Sequence, residues 1–434
     1  MSSCHLPAAG DCSLLTGSKD ESANSFVARQ PIFNSHGTVY GYELPFRSCL
    51  DNAFDRTEAR PASSLVVPNS FFSTGAVKLL AGKKAFIKVP ADVLVAGVPL
   101  LMSPELIVVE ITETVQVDAD LLAVCRRLKE KGYLLALDDY NGQPHLDPLL
   151  DFADIVKVDF GGLSGADRRR LAGEDRARKT KMLAEKVETQ EEFDCARDAG
   201  YTYFQGLFFA RPKVVNGPEV AGLKLNLRIL AETHRPDIDF DEIVKLIKQE
   251  VSLAAKLLRY INSAAFSFRG HIASLPQALA LLGERAVRDW LSAAALMNLA
   301  KNKPGELIIH AILRARFCEL IARSANFSPG QQHTLFLIGM FSLLDAVVDR
   351  PLDQLLAELP LSPEVRGVLL GKAPQGDLWA EVFSSVRAYE AADWSTLSAS
   401  AGRLGIPNHV IQQLYLESAD WSAHVFQSAS AAGQ

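Results

Sequence analysis

The sequence predicts an α/β barrel of the TIM type followed by an all-α helical domain. Three observations carry that prediction. Between Phe26 and Pro212 short apolar runs alternate with helical patterns, nearly every run ends on a charged or amide side chain, and after Pro212 the strand texture gives way to helical periodicity. A chain of 434 residues has room for two or three domains at about 150 residues each. We divide it into a tail over residues 1–25, rich in Ser, Ala, Gly and Asp, an α/β barrel domain over 26–214, and a helical domain over 215–434.

The strands come first in the chain. FVARQPIF and TVYGYELPF flank Asn34-Ser35-His36-Gly37, a turn-rich tetrapeptide that predicts a hairpin. Six further runs follow: Ala85–Val89, Leu106–Ile111, Leu134–Leu137, Ile155–Val158, Met182–Ala184 and Tyr203–Phe208. Their midpoints Ile87, Val108, Leu135, Val156, Met182 and Phe204 are spaced by 21, 27, 21, 26 and 22 residues, room for one helix and two short loops each time. Two strands plus six make eight, the number that closes such a barrel. Among the crossover helices, Ala119–Lys131 carries Leu121, Leu122, Val124, Cys125 and Leu128 on one side with Gly132 to cap it, and Glu191–Ala199 stops at Gly200.

Val214–Glu219, with Asn216, Gly217 and Pro218, reads as the junction. Beyond it Phe240–Gln249 forms a helix with Asp239 near its cap, Leu253, Leu257, Leu258 and Ile261 share a face, and Leu275–Leu282 ends at Gly283. Ile308, Ile312, Leu313, Phe317, Leu320 and Ile321 mark another buried face. Phe266 and Phe268 near Gly270 read equally as core or as a docking patch.

Composition narrows the class. Hydrophobic residues at 48% and charged residues at 22% are ordinary for globular proteins. The balance of 45 basic against 51 acidic groups, −6 overall, gives no global pull toward a nucleic acid polymer or an anionic membrane. Six cysteines without a C-x-x-C pair support neither a disulfide framework nor a thiolate zinc site. The most apolar stretch, Leu335–Leu344, is about half the roughly 20 residues a membrane span needs. The N-terminus lacks a basic segment followed by an apolar one, so no secretory leader is expected and a cytoplasmic location fits. Arg168–Arg170, Arg314, Arg316 and Arg323 read as solvated helix faces, and His310 and His333 as capping or packing histidines. Neither a G-x-S-x-G elbow nor a phosphate-binding P-loop appears.

The strand ends hold the candidate chemistry: Glu43, Lys88, Glu110, Asp138 with Asp139, Lys157 with Asp159, Glu185 and Gln205. In a closed barrel active sites sit where the strands end at the C-terminal face. Carboxylates converging on one mouth repel unless cations or a ligand compensate them.

These residues also carry a resemblance. QPIF-NSHG-TVYGYELPFR resembles the opening of the EAL domain family, with Glu43-Leu44-Pro45 at the Glu-Ala-Leu triplet and Arg47 at the matching place. VVEITE, LALDDYNG, IVKVD, LLAEKVET and FQGLFFARP continue the resemblance through residues 26–212. It implies hydrolysis of cyclic di-GMP to a linear dinucleotide with two Mg²⁺ or Mn²⁺ ions. It further implies Glu43, Glu110, Asp138 and Asp139 as metal ligands or their neighbours, Lys157 polarising the water, Glu185 supporting it, and Gln30, Arg47 and Gln205 facing the nucleotide.

Two departures from that pattern stand out. Lys88, in AFIKVP, replaces an Asn metal ligand, and an ammonium has three donors and no acceptor. The loop D-D-F-G-T-G-Y-S-S-L has become Asp138-Asp139-Tyr140-Asn141-Gly142-Gln143-Pro144-His145-Leu146-Asp147. In the helical half, VSLAAKLLRYINSAAFSFRGHIASLPQALALLG resembles HDOD domains. Gly339-Met340-Phe341-Ser342-Leu343 stands where enzymatic relatives carry G-L-L-H-D, which implies a metal-free half.

The expectation from sequence is therefore a bacterial EAL-HDOD signalling protein with a degenerate barrel. On this reading no residue is catalytic and no metal or other cofactor is held, although Lys157, Glu185, Glu43, Glu110, Asp138 and Asp139 persist. Gln30, Arg47, Lys88 and Gln205 are the ligand-binding candidates, the partners are signalling or motility proteins, and a homodimer stays open. The competing readings are a weak Mg²⁺-dependent cyclic di-GMP phosphodiesterase and an adaptor that binds cyclic di-GMP without cleaving it.

Overall fold

The computed structural model describes residues 26–47, 79–178, 180–212, 222–233, 238–249, 251–262, 271–300, 303–359 and 361–431. The expected tail over 1–25, the junction at 214–219, Phe266 and Phe268 lie outside the described residues.

Ten strands are described. β1 (Phe26–Val27) and β4 (Phe46–Arg47) form a small antiparallel ribbon. The other eight are β2 (Gln30–Asn34), β3 (Val39–Glu43), β5 (Lys84–Val89), β6 (Ile107–Ile111), β7 (Leu134–Leu137), β8 (Ile155–Asp159), β9 (Lys181–Glu185) and β10 (Tyr203–Gln205). They close in the order β10-β2-β3-β5-β6-β7-β8-β9. All pairings are parallel except those of β2, which runs antiparallel to both β3 and β10. The hairpin turn is held by Asn34, whose Oδ1 accepts from the backbone N–H of His36 and Thr38 at 2.9 and 3.1 Å.

The two-residue period of the strands builds the barrel interior. Ile32, Phe86, Val108, Ala136, Ile155, Leu183 and Tyr203 form a buried apolar plug, with Tyr40 and Leu134 packed against it. The register slips between Ile32 and Phe33, a bulge opposite Tyr40, so Tyr40 enters the plug while Gly41 faces β5 and Glu43 reaches the mouth. Gly41 is required there because a Cβ would stand 2.8 Å from the Lys84 carbonyl oxygen and 2.9 Å from the Phe86 ring.

The crossover helices follow their sequence signals. Ala119–Glu130 is capped by Asp118, which accepts from the Leu121 N–H at 2.8 Å. Gln190–Ala199 opens with a Thr189/Glu192 capping box and closes on Gly200 at φ 102°. The last strand, expected to run to Phe208, ends at Gln205, and Phe208–Ala210 forms a 3₁₀ turn whose Phe208 stacks on Phe193 at 4.7 Å.

Twelve helices follow among the described residues, from Leu223–Thr233 to Asn408–Ala431. Gly283, expected to end a helix, has φ 76° and ψ 163°, but a helical path resumes after it and reaches Leu299. The helices Gly305–Ser324 and Pro329–Phe341 approach so closely that a Cβ on Gly339 would lie 2.6 Å from the Ala315 Cα. The two halves share one hydrophobic core: Phe26 packs its ring on Tyr389 and Trp394 at 6.4 and 5.5 Å, and the Tyr389 hydroxyl donates to the Val27 carbonyl at 2.9 Å. No helix among the described residues is long and apolar enough to cross a membrane.

Candidate active site at the barrel mouth

Six polar residues of the mouth each stand two positions beyond a plug residue. Phe86 leads to Lys88, Val108 to Glu110, Ala136 to Asp138, Ile155 to Lys157, Leu183 to Glu185 and Tyr203 to Gln205. The alternation that points one side chain into the plug therefore points the next inward residue into the mouth. Because β2 runs the opposite way, it contributes its first residue, Gln30, which pairs with Glu43.

Lys157 is the hub. Its side chain is fully buried, and its Nζ lies 3.0 Å from Glu43 Oε2, 2.9 Å from Glu110 Oε1, 2.9 Å from Asp138 Oδ1 and 2.8 Å from Glu185 Oε1. An ammonium has three protons, so four oxygens cannot all receive one. Glu110 Oε1 and Asp138 Oδ1, although within ion-pair distance, accept no hydrogen bond, and Glu110 Oε2 is buried with no partner among the described residues.

Lys88 caps the cluster from the rim. Its Nζ stands 2.8 Å from Asp138 Oδ2 and 3.3 Å from Glu43 Oε1, while 47% of its side chain is exposed. Gln205 Nε2 donates to Glu43 Oε2 at 2.8 Å and to Gln30 Oε1 at 3.1 Å. Asp139 follows β7 in the left-handed region at φ 46°, a conformation that costs a non-glycine residue about 1–3 kcal/mol. The Gln143 side chain braces the loop by donating to the Asp139 carbonyl at 3.0 Å and accepting from Asn141 N–H at 2.8 Å. Asp159, just outside the cluster, pairs with Lys186 at 2.6 Å. Arg47 belongs to β4, and its side chain lies outside the described residues.

The electrostatics follow from burial and proximity. Burial would raise the Glu43 carboxyl, but Lys157 and Lys88 override it and hold the group down at about 2. Burial, reinforced by Glu43 and Asp138, pushes Glu110 well above the carboxylate range. Glu185 is pushed up to about 7 by burial, with Lys157 opposing and Asp138 and Glu43 adding to the rise. Burial disfavours the charged forms of Lys157 and Lys88, yet the carboxylates around each raise both above the ordinary lysine value.

The donor set suits a hard divalent cation, which prefers carboxylate oxygens. Four carboxylates face two ammonium groups, two negative charges in excess when all are ionised, and Glu110 Oε2 is a buried acceptor without a donor. The space between the carboxylates is taken by the two lysines, and among the described residues no group of three His, Cys, Asp or Glu stands ready to hold an ion as arranged. Of the two, only Lys88 has a solvent-facing stem on which to swing away.

In the helical half, Ser342 accepts from Arg314 Nη1 at 2.8 Å, and Arg314 pairs with Glu390 at 2.7 Å. His310 stands 3.4 Å from the same carboxylate, so Ser342 and His310 belong to one part-buried network around Arg314 and Glu390.

The EAL domain family matches residues 95–212 and the HDOD domain family residues 223–348. A Vibrio cholerae protein named cyclic di-GMP phosphodiesterase CdgJ is 35% identical over 416 residues, 94% of either chain. The chain belongs to the EAL-HDOD family. Another relative, YuxH of Bacillus subtilis, an uncharacterized protein, is 32% identical over 91% of this chain and 97% of its own. Among solved structures, BlrP1 of Klebsiella pneumoniae in a manganese and cyclic di-GMP complex is 23% identical, with a TM-score of 0.37, over 45% of this chain and 56% of that one.

This membership corrects the functional expectation from sequence. The reading of a degenerate, non-enzymatic barrel acting by protein–protein interaction is overturned by near full-length similarity, within this EAL-HDOD family, to a protein named as a phosphodiesterase. Lys88 departs from the Asn of the family pattern, but the carboxylates remain. The structure puts it at the rim, half-exposed, and keeps Glu43, Glu110, Asp138 and Glu185 together beneath it.

Proposed function

We propose that this chain hydrolyses cyclic di-GMP to a linear dinucleotide at the barrel mouth, with divalent cations. The observation that carries the reading is the gathering of four carboxylates within 3.0 Å of one buried ammonium, with Glu110 Oε2 left unpaired. The 35% identity to the Vibrio protein supports it. We assign the chemistry to the barrel domain, 26–214, and regard 215–434 as the helical domain.

Glu43, Glu110, Asp138 and Asp139 would hold Mg²⁺ or Mn²⁺, which when bound neutralises charge developing on the phosphoryl oxygens. Lys157 fixes the spacing of these carboxylates from below, since its nitrogen touches Glu43, Glu110, Asp138 and Glu185 together. Glu185, pushed up to about 7, exchanges a proton near neutral pH and suits the removal of a proton from the attacking water. Gln30 and Gln205, linked at 3.1 Å, present an amide pair beside Glu43 to the nucleotide. Lys88 and Arg47 supply positive charge to its phosphates.

The test is incubation of the full chain with cyclic di-GMP and Mn²⁺, followed by product analysis. Linear dinucleotide that disappears with a chelator, and in Glu110→Gln, is the expected result. Nucleotide binding without any product, in Mn²⁺ and in Mg²⁺, would sink the reading and favour the adaptor.

A further inference from the structure

Strand alternation places two kinds of residue side by side. Gln30 and Glu43 pair across β2 and β3 and point into the mouth, so their neighbours Arg29 and Tyr42 point outward. Those outward side chains meet one carboxylate of the helical half. Arg29 Nη2 donates to Glu306 Oε1 at 3.3 Å and the Tyr42 hydroxyl donates to Glu306 Oε2 at 2.9 Å. The Arg29 guanidinium also lies 4.8 Å from the Tyr42 ring centroid, and its Nη1 donates to the Leu79 carbonyl at 3.0 Å.

The clamp is buried and has little freedom. Arg29 and Glu306 are 7% and 5% exposed. Glu306 is the second residue of the helix Gly305–Ser324, whose start is wedged against Asn408–Ala431: a Cβ on Gly305 would stand 2.9 Å from the Phe426 ring. The Tyr415 hydroxyl, from that second helix, accepts from the Arg29 backbone N–H at 3.3 Å. Both oxygens of one carboxylate are thus committed to the two strands that carry Gln30 and Glu43.

We propose that Glu306 of the helical half is a positioning residue for the barrel site, setting through Arg29 and Tyr42 the placement of Gln30 and Glu43. This rests on the reading of the mouth as a cation-dependent site. The helical half then acts on the chemistry although none of its described residues contributes a group to the mouth.

The experiment compares full-length Glu306→Ala, Glu306→Gln and Tyr42→Phe with Tyr389→Phe, which loosens the same interface at Val27. Mn²⁺ affinity is read by calorimetry, kcat and KM by product formation, and amide exchange over residues 30–34 and 39–43 by mass spectrometry. Glu306→Ala should weaken Mn²⁺ binding about 10-fold, the scale of losing a group that orients a metal ligand, and lower kcat. Glu306→Gln, which keeps the shape, should recover part of both, and Tyr389→Phe should change neither. Should Glu306→Ala fail to fold, Tyr42→Phe carries the test, with a smaller shift in the same direction. Wild-type Mn²⁺ affinity and kcat in the Glu306 and Tyr42 variants, with a melting temperature lowered as in Tyr389→Phe, would overturn the proposal. If the wild-type chain binds no Mn²⁺, the functional reading fails by itself. Amide exchange then decides the clamp: faster exchange confined to β2 and β3 in Glu306→Ala supports it, and unchanged exchange refutes it.

Discussion

Lys157 and Lys88 touch two of the same carboxylates, Glu43 and Asp138, yet burial gives them different parts. Lys157 is sealed beneath the mouth and Lys88 is 47% exposed at its rim. Replacing Lys157 with Met leaves four buried carboxylates without their common counter-ion. Breaking a buried pair in this way costs about 3–5 kcal/mol, so denaturant unfolding should show a marked loss of stability together with loss of hydrolysis. Lys88→Met removes a competitor for the cation while leaving the hub in place. Mn²⁺ affinity by calorimetry should rise about 10-fold, within the range that neighbours of ligands control, and KM for the cyclic dinucleotide should rise if the phosphate contact proposed for Lys88 is lost.

Glu390 gives a pH prediction away from the site. Burial alone would raise its carboxyl, but Arg314 and His310 hold it well below its usual 4.5. A carboxylate depressed in the folded state adds stability above its unfolded value, and that stability drains as pH falls below it. The melting temperature should therefore fall as pH drops below about 4.5, and Glu390→Gln should be less stable at pH 7 with a shallower acid decline.

At the level of elements, the barrel strands were legible because apolar runs, turn residues and strand-end polarity coincide at each of them. Leu134–Leu137 matches its expected bounds and the other parallel strands shift by a residue or so at an end, apart from the last. The last strand read too long: Phe208 is as apolar as a strand residue but stacks on Phe193 in a 3₁₀ turn, and composition does not distinguish the two. β1 and β4, two residues each, carry too little pattern to be told apart from the hairpin runs FVARQPIF and TVYGYELPF. Gly283 showed the local break but not that the helical path continues to Leu299, which its tertiary neighbours decide. Close packing of Gly305–Ser324 against Pro329–Phe341 leads to a further expectation. Gly339→Val should destabilise by about 1–3 kcal/mol or more through overpacking, because the obstacle is backbone at Ala315, and urea unfolding should show it.

For the whole molecule, the site residues were readable one by one and their geometry was not. Strand ends announced Glu43, Glu110, Asp138, Lys157 and Glu185, but the period-two alternation that joins them around a single nitrogen appears only with the barrel closed. Glu306 and Arg29 went unseen because 277 residues separate them and neither belongs to a motif. The faint signal was an acidic residue directly before an apolar run at a helix start, Glu306-Leu307-Ile308-Ile309.

The antiparallel first strand also governs when the pocket comes into being. Gln205 meets Gln30 across 175 residues and Glu43 across 162, so a nascent chain leaving the ribosome keeps an open seam beside β2 until β10 emerges. Glu306 is translated later still. The mouth is assembled backwards, its earliest residues waiting for the latest to arrive, and a chain arrested before β10 would carry most of its acids on an unsealed sheet.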